Sequence, residues 1–303
     1  MATLMGLLGQ PKDNGGVPKP PNTGSINTRD GVKLAWERFG TVGPKLVLIH
    51  GWSASRHYWD LNTRALARAS VVYTYDQRFH GESDKPCWGY HVARLAADLN
   101  DLLTQLDLTE VTVVGASMGC AVIWSYIELF GEERLSQAVF IDQAPLQNLA
   151  DDWRLGSKGC FDIASLTRLQ CKLQFDFDGF ARDNVTFCTT LPISSEVAGV
   201  LVQQTLKADS KALAQLMADH TQLDWRPLLP RIRLPCLNIV GRKSSVFPWE
   251  GCEVVGKLIR NCHTVYFEEA NHWLYIEESE KFNSLLLDFL REGFFGVRNK
   301  VRL

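Results

Sequence analysis

The chain has 303 residues, 46% of them hydrophobic, which is enough for one large core or for one core that carries an insertion. Its formal net charge of −2 offers no positive field for nucleic acid or for an anionic membrane surface. The eight cysteines form no C-x-x-C pair, so we predict reduced thiols and a cytoplasmic location.

The two chain ends carry little patterning. Residues 1–24 begin with a brief apolar stretch without a basic region and continue as a Pro-, Gly- and Asn-rich segment, which predicts a tether rather than a signal peptide or a membrane span. The final tripeptide, Val301-Arg302-Leu303, is only partly similar to a peroxisomal signal of the S-K-L type, because valine replaces its small first residue.

Strands and helices alternate through most of the chain. Residues 25–28 and 32–39 flank the turn signal Asp30-Gly31 and predict a hairpin. Six short apolar runs then predict buried parallel strands, at residues 45–49, 71–75, 111–114, 138–141, 237–240 and 264–267. Helical periods lie between them, the clearest at residues 92–106 and 282–290. This order predicts an α/β fold with a doubly wound, mostly parallel sheet.

One interval breaks the alternation. Residues 146–230 are rich in aromatic side chains, contain mostly helical patterns and show no convincing buried strand. We therefore predict a helical cap inserted into a core made of residues 25–145 and 231–303.

Ser117 lies at the centre of Gly115-Ala116-Ser117-Met118-Gly119, directly after an apolar strand and before a helical stretch. A serine on a tight strand-to-helix turn needs small residues two positions before and after it, because larger side chains would clash where the backbone reverses. The pattern predicts a nucleophile elbow, in which helix amides point at the group that Ser117 attacks. The alternative is a surface turn that carries the same letters.

A serine nucleophile needs a base, and His272 is the best placed of the seven histidines. It follows the last predicted strand, and loops at the carboxyl ends of parallel strands gather the site in this architecture. A capping or packing role for His272 is the competing interpretation. No histidine pair with an intervening glutamate occurs, so we predict neither a metal nor a cofactor.

The glycine turn His50-Gly51-Trp52 follows the strand at residues 45–49. A glycine there lets the chain turn back toward the elbow. We expect the backbone amides of Trp52 and Met118 to form an oxyanion hole, each donor being worth on the order of 3 kcal/mol.

Four motifs together resemble the α/β-hydrolase superfamily over residues 25–295: His50-Gly51-Trp52, the loop at 76–83, the elbow at 115–119 and Asn271-His272-Trp273. The resemblance implies an eight-stranded sheet and is strongest to capped esterases, C–C bond hydrolases and cofactor-free haloperoxidases. In the loop at 76–83, Phe79 replaces a glycine that is usual in the family.

The acid of the triad departs from the usual pattern. Family members generally carry an aspartate after the strand that follows the cap, and this chain has Ser244 there. Some members place the acid one strand earlier, where this chain has Asp142, so we predict Asp142 as the partner of His272. The alternatives are Asp142 as a hydrogen-bonded hinge, Glu268 or Glu269 as the acid, or no acid at all. Asp76 is expected to organise its own loop.

We predict a serine hydrolase that cleaves an ester or lactone of an apolar small molecule. Trp52, Trp153 and Trp273 are the expected walls of its substrate pocket. The same residues are also compatible with a C–C bond hydrolase or with a lyase, decarboxylase or perhydrolase. A third possibility is a non-catalytic receptor for a small molecule, which the serine at position 244 leaves open.

Overall fold

The structure, a computed structural model of the chain, describes residues 21–293. Most of the predicted tether and the C-terminal tripeptide lie outside this range. Eight strands form one sheet in the order β1-β2-β4-β3-β5-β6-β7-β8. Their bounds are β1 Asn22–Asn27, β2 Lys33–Phe39, β3 Lys45–Ile49, β4 Val71–Tyr75, β5 Val111–Ala116, β6 Leu135–Ile141, β7 Cys236–Gly241 and β8 Cys262–Phe267.

The strands β1 and β2 pair as the predicted hairpin, and β2 pairs antiparallel with β4. All remaining neighbours in the sheet pair in parallel. The doubly wound, mostly parallel eight-stranded sheet is thus confirmed. β6 begins three residues before its predicted start. Two of the three additional residues, Ser136 and Gln137, are not buried, so the predicted apolar run did not extend to them.

Ten α-helices lie in the described range. They are α1 Asp60–Leu66, α2 Val92–Gln105, α3 Met118–Phe130, α4 Ile163–Phe175, α5 Phe177–Cys188, α6 Ser195–Thr205, α7 Ser210–His220, α8 Trp249–Leu258, α9 Leu274–Glu277 and α10 Ser279–Glu292. None of them combines the length and the apolar character that crossing a membrane requires.

Helices cover both faces of the sheet. Along β5, Val111 and Val113 belong to a core cluster with α2, α3 and α8, while Val114 and Ala116 belong to a second cluster with α1 and α10. This alternation follows from the two-residue period of a strand, which sends successive side chains to opposite faces. Both faces of the central strands are therefore buried, as parallel sheets require.

The segment between β6 and β7, residues 142–235, contains helices α4 to α7. We call this segment the insertion. In it the structure describes no strand beyond an isolated bridge between Ala150 and Trp153. The alternation of strands and helices resumes with β7, so the insertion lies between two neighbouring strands at the carboxyl edge of the sheet.

Candidate active site

Ser117 lies between β5 and α3 in a strained turn, with φ 53° and ψ −125°. A Cβ on Gly115 would lie 2.5 Å from the carbonyl carbon of Gly119, and one on Gly119 would lie 2.5 Å from the Ile49 oxygen. Both contacts are shorter than real Cβ atoms tolerate, which explains the two glycines of the motif. Non-glycine residues in such conformations persist where the surroundings fix them, commonly at functional sites.

The turn at Gly51 lies against this elbow. A Cβ on Gly51 would lie 3.2 Å from both the Ser117 Cβ and the Ala116 oxygen. Met118 is the first residue of α3, so its amide has no partner carbonyl within the helix. The turn that carries Trp52 and the start of α3 thus lie next to each other at Ser117.

His50 holds this turn. Its Nδ1 donates to the Gly51 carbonyl (2.8 Å), and its Nε2 accepts from the Gln77 amide (3.0 Å). Complete burial lowers the pKa of His50 to about 4, so the ring is neutral and can accept and donate at once. The sequence indicated only a glycine turn at this position, and the partners of His50 come from a distant loop.

Asp142 and His272 are in direct contact. His272 Nδ1 donates to Asp142 Oδ2 over 2.7 Å, and the two residues are 5% and 0% exposed. Asp142 follows β6 directly and has φ 46°, a left-handed conformation that aspartate adopts more readily than most residues. A carboxylate that accepts from Nδ1 fixes the tautomer in which Nε2 carries no proton.

Two further donors stabilise the Asp142 carboxylate. The Gly241 amide donates to Oδ1 (3.0 Å), and the Ser244 hydroxyl donates to the same Oδ2 that contacts His272 (2.7 Å). Ser244, at the position where the acid is expected, is therefore a hydrogen-bond partner of Asp142, which follows the neighbouring strand. A buried carboxylate needs such donors to remain ionised.

The alternative acids lie elsewhere. Glu268 forms an ion pair with Arg242 (3.2 Å) and its side chain is 64% exposed. Glu269 is also exposed. Asp76 accepts from the backbone amides of Arg56 (2.7 Å) and Glu82 (2.8 Å), so it organises its own loop. Asp142 is the carboxylate in contact with His272.

The loop that carries His272 is tied to the insertion. Asn271 Oδ1 accepts from the His272 amide (2.7 Å), and Asn271 Nδ2 donates to the carbonyl of Phe187 in α5 (3.1 Å). The Glu277 carboxylate accepts from the amides of Asn271 (2.6 Å) and of Leu191, just after α5 (2.7 Å). These bonds hold the imidazole loop in a fixed position relative to the end of α5.

Phe79 has φ 73°, the conformation for which its family position usually carries glycine. Its side chain is fully buried and stacks near Tyr90, with ring centroids 5.1 Å apart. Packing of the aromatic ring thus accompanies an unfavourable backbone conformation.

Ser117 and His272 line one cavity of about 650 Å³ between the sheet edge and the insertion. Trp52 and Trp273 also line it, as the sequence predicts. The ring of Trp273 packs edge-on against Tyr58 at 5.2 Å, and the indole of Trp52 donates to the carbonyl of Leu213 in α7 (3.0 Å). Trp52 therefore connects the glycine turn to the insertion.

Trp153 corrects one prediction. It is 6% exposed and does not belong to the described lining of the cavity. Its indole donates to the Leu146 carbonyl (2.9 Å), and the Arg226 guanidinium lies 5.4 Å from its ring. The bridge between Ala150 and Trp153 turns this segment back on itself, and the aromatic side chain packs in a cluster with Leu146 and with Phe247 and Cys252 of the core.

Sequence reasoning missed the residues that the insertion contributes to the cavity. Among them are Gln147, Phe180, Met217 and His220. They come from a loop and two helices, and no short motif relates their positions. Within residues 21–293, no group of histidine, cysteine, aspartate and glutamate is arranged to hold a metal ion.

A model of the alpha/beta hydrolase fold family matches residues 44–279. The chain belongs to this family. The match extends from β3 to the start of α10 and so includes Ser117, Asp142 and His272. Its members include the esterases and haloperoxidases that the motifs resemble, and the chain is an enzyme of this family.

Three relatives illustrate the range of names. A non-heme chloroperoxidase of Kitasatospora aureofaciens is 29% identical over 282 residues, which cover 88% of this chain and 98% of that protein. A bifunctional esterase/perhydrolase of Acinetobacter calcoaceticus is 24% identical over 283 residues, 88% of this chain and 99% of that protein. The solved structure of an esterase from Exiguobacterium antarcticum superposes with a TM-score of 0.84 at 26% identity, over 88% of this chain and 99% of that one.

Proposed function

We propose that this enzyme is a serine hydrolase that cleaves an ester or lactone of an apolar small molecule. The observation that carries the proposal is the buried contact between His272 Nδ1 and Asp142 Oδ2 (2.7 Å), beside a cavity that Ser117 also lines. A histidine oriented by a carboxylate, near a serine on a strained elbow, is the arrangement that activates a hydroxyl nucleophile.

In the proposed reaction, His272 Nε2 takes the proton of the Ser117 hydroxyl while the Ser117 oxygen attacks the ester carbonyl. Asp142 keeps the imidazole in the required tautomer and stabilises the imidazolium that forms. The amides of Trp52 and Met118 donate to the developing oxyanion. His272 then protonates the leaving alkoxide, and an acyl-enzyme remains on Ser117.

Water completes the cycle. His272 removes a proton from the water, the hydroxide attacks the acyl carbonyl, and the acid product leaves as Ser117 regains its proton. The cavity of about 650 Å³ suits a small substrate, and the aromatic side chains of Trp52, Phe180 and Trp273 favour an apolar one.

The names of the relatives favour a second candidate, perhydrolysis. The Acinetobacter calcoaceticus relative is a bifunctional esterase/perhydrolase, and others are non-heme haloperoxidases. Hydrogen peroxide in place of water would attack the same acyl-enzyme, releasing a peracid and restoring the Ser117 hydroxyl. Both activities require the same nucleophile and the same base.

Labelling with a fluorophosphonate tests the proposal. The wild-type protein should be labelled at Ser117 and should hydrolyse a p-nitrophenyl ester, and Ser117→Ala should lose both properties. A panel of esters and lactones of graded size, each with and without hydrogen peroxide, then separates the two candidates. Labelling and turnover that survive in Ser117→Ala would refute the proposed nucleophile, while a protein that is never labelled would support a receptor.

A further inference from the structure

His220 is a buried polar side chain that the proposed chemistry does not use. It is the last residue of α7, is 3% exposed and lines the cavity. Its Nδ1 finds no hydrogen-bond partner among the described residues. That nitrogen is itself enclosed by protein, so a ligand in the cavity would meet the remaining polar edge of the imidazole rather than Nδ1.

Gln147 lies beside it. The backbone amide of Asn148, the next residue, donates to the carbonyl of Thr221, the residue after His220 (3.1 Å). Gln147 lines the same cavity, is 5% exposed and donates to the sulfur of Met217 (3.4 Å). Met217 lies three residues before His220 on the same face of α7. A thioether is a weak acceptor, so the amide of Gln147 also has unused hydrogen-bonding capacity.

Much of the cavity wall near these two residues is apolar. Leu169, Phe180 and Met217 line the same cavity. Lys172 and Asp183 also belong to the described lining. They form an ion pair with each other at 3.2 Å, and their side chains are 37% and 74% exposed. They therefore lie at the solvent side of the cavity and provide no counter-charge for the buried pair.

His220 itself is neutral. Burial lowers its pKa to about 4, against the smaller opposing effect of the Asp219 carboxylate. A neutral imidazole can donate from one nitrogen and accept at the other. An anionic group placed against it would be buried without a cation, which is unfavourable.

We propose that Gln147 and His220 form a polar subsite that binds an uncharged oxygen-bearing group of the substrate, such as a ketone, amide or hydroxyl, remote from the bond that is cleaved. This inference rests on the proposed function and narrows its substrate class. The preferred substrates are esters or lactones whose apolar chain carries one neutral hydrogen-bonding group.

Matched esters test the subsite in the full-length protein. We would compare kcat/KM for p-nitrophenyl heptanoate with that for analogues that carry a ketone at the fifth or sixth carbon. A mono-p-nitrophenyl ester of a dicarboxylic acid is the charged comparison. One neutral hydrogen bond predicts a preference of about fivefold or more for at least one ketone ester. The charged ester should be disfavoured.

Substitutions locate the effect. His220→Phe and Gln147→Leu should each lower the ratio of ketone ester to parent ester toward one, and His220→Gln should retain part of the preference. Gln222→Leu is the matched control, because Gln222 is exposed and its side chain donates to the Ala218 carbonyl of α7 (2.9 Å). Thermal melting of each variant separates a loss of the subsite from a loss of the fold.

Three results would overturn the subsite: a wild-type protein that does not distinguish the neutral esters, a preference that is unchanged in both variants, or a preference for the charged ester. Calorimetric binding of the same esters to Ser117→Ala gives a readout without turnover. Failure of the proposed function removes labelling and hydrolysis, whereas failure of the subsite removes only the difference in affinity.

Discussion

The carboxyl edge of the sheet and the insertion contribute to the same cavity, but their residues are related to the sequence in different ways. Ser117, Asp142 and His272 each lie just after a strand, and parallel strands deliver their ends to one edge. The insertion contributes Gln147 and His220, which meet only because a helix and a preceding loop pack together. Topology brings the first set together, and packing alone brings the second.

Removal of the charge at Asp142 should give the largest effect. Asp142→Asn should lower kcat/KM by about 10⁴-fold with the fold intact, because the amide favours the wrong tautomer of His272. Hydrolysis of a p-nitrophenyl ester measures this loss. Glu268→Gln is the matched control, since Glu268 is exposed and pairs with Arg242, and it should keep normal rates.

Ser244→Asp sharpens the same experiment. The Ser244 hydroxyl lies 2.7 Å from the Asp142 carboxylate, so a carboxylate at position 244 would approach the same imidazole from the neighbouring strand. Partial recovery of activity in the double variant with Asp142→Asn is expected. Near-normal activity in Asp142→Asn alone would instead remove Asp142 from the triad.

A methyl group at Gly51 should have an intermediate effect. In Gly51→Ala the new Cβ would lie 3.2 Å from the Ser117 Cβ and from the Ala116 oxygen, so the turn must shift away from the elbow. Displacement of one oxyanion donor predicts a loss of about 10²-fold in kcat.

The insertion supplies the control for this change. A Cβ on Gly199 in α6 would meet nothing within 4 Å, and Gly199→Ala should leave turnover unaltered. Equal turnover in the two variants would contradict the expected displacement of an oxyanion donor.

The buried histidines predict a dependence of stability on pH, which does not involve turnover. Burial lowers the pKa of His50 to about 4, of His80 to about 3 and of His220 to about 4, from 6.5. Between these values and 6.5 the unfolded chain binds more protons than the folded one. Stability is therefore greatest above pH 6.5 and falls as the pH decreases, by about 1.4 kcal/mol per pH unit for each histidine.

The dependence of stability on pH allows the core and the insertion to be compared. His50 and His80 lie in the core, whereas His220 lies in the insertion. The free energy of unfolding, measured with urea between pH 7 and pH 5, should change less with pH in His220→Gln than in the wild type. The variant lacks one histidine that takes up a proton on unfolding. An unchanged slope would mean that His220 is already protonated or accessible in the folded protein.

The sequence was sufficient to predict the elements that follow from a local pattern of residues. Apolar runs bounded by turn residues located the strands, and the spacing of small residues around Ser117 located the elbow. It was insufficient where a contact joins distant segments. Trp153 was predicted as a wall of the pocket, but it packs in a cluster with Phe247 and Cys252, and no periodic pattern signalled His220. Ser244 was recognised as a departure, and its hydrogen bond to Asp142 emerges only from the register of β6 and β7.

The position of Asp142 also bears on the engineering of chimaeras. The residue immediately follows β6, where the insertion departs from the sheet, and Asn271 beside His272 bonds to the carbonyl of Phe187 in α5. A transplanted insertion from another enzyme would thus be joined to the acid by a covalent bond and to the base through a side-chain amide. Graft boundaries that leave Asp142 with the sheet and provide an acceptor opposite Asn271 would exchange the cavity wall while preserving the contact between Asp142 and His272.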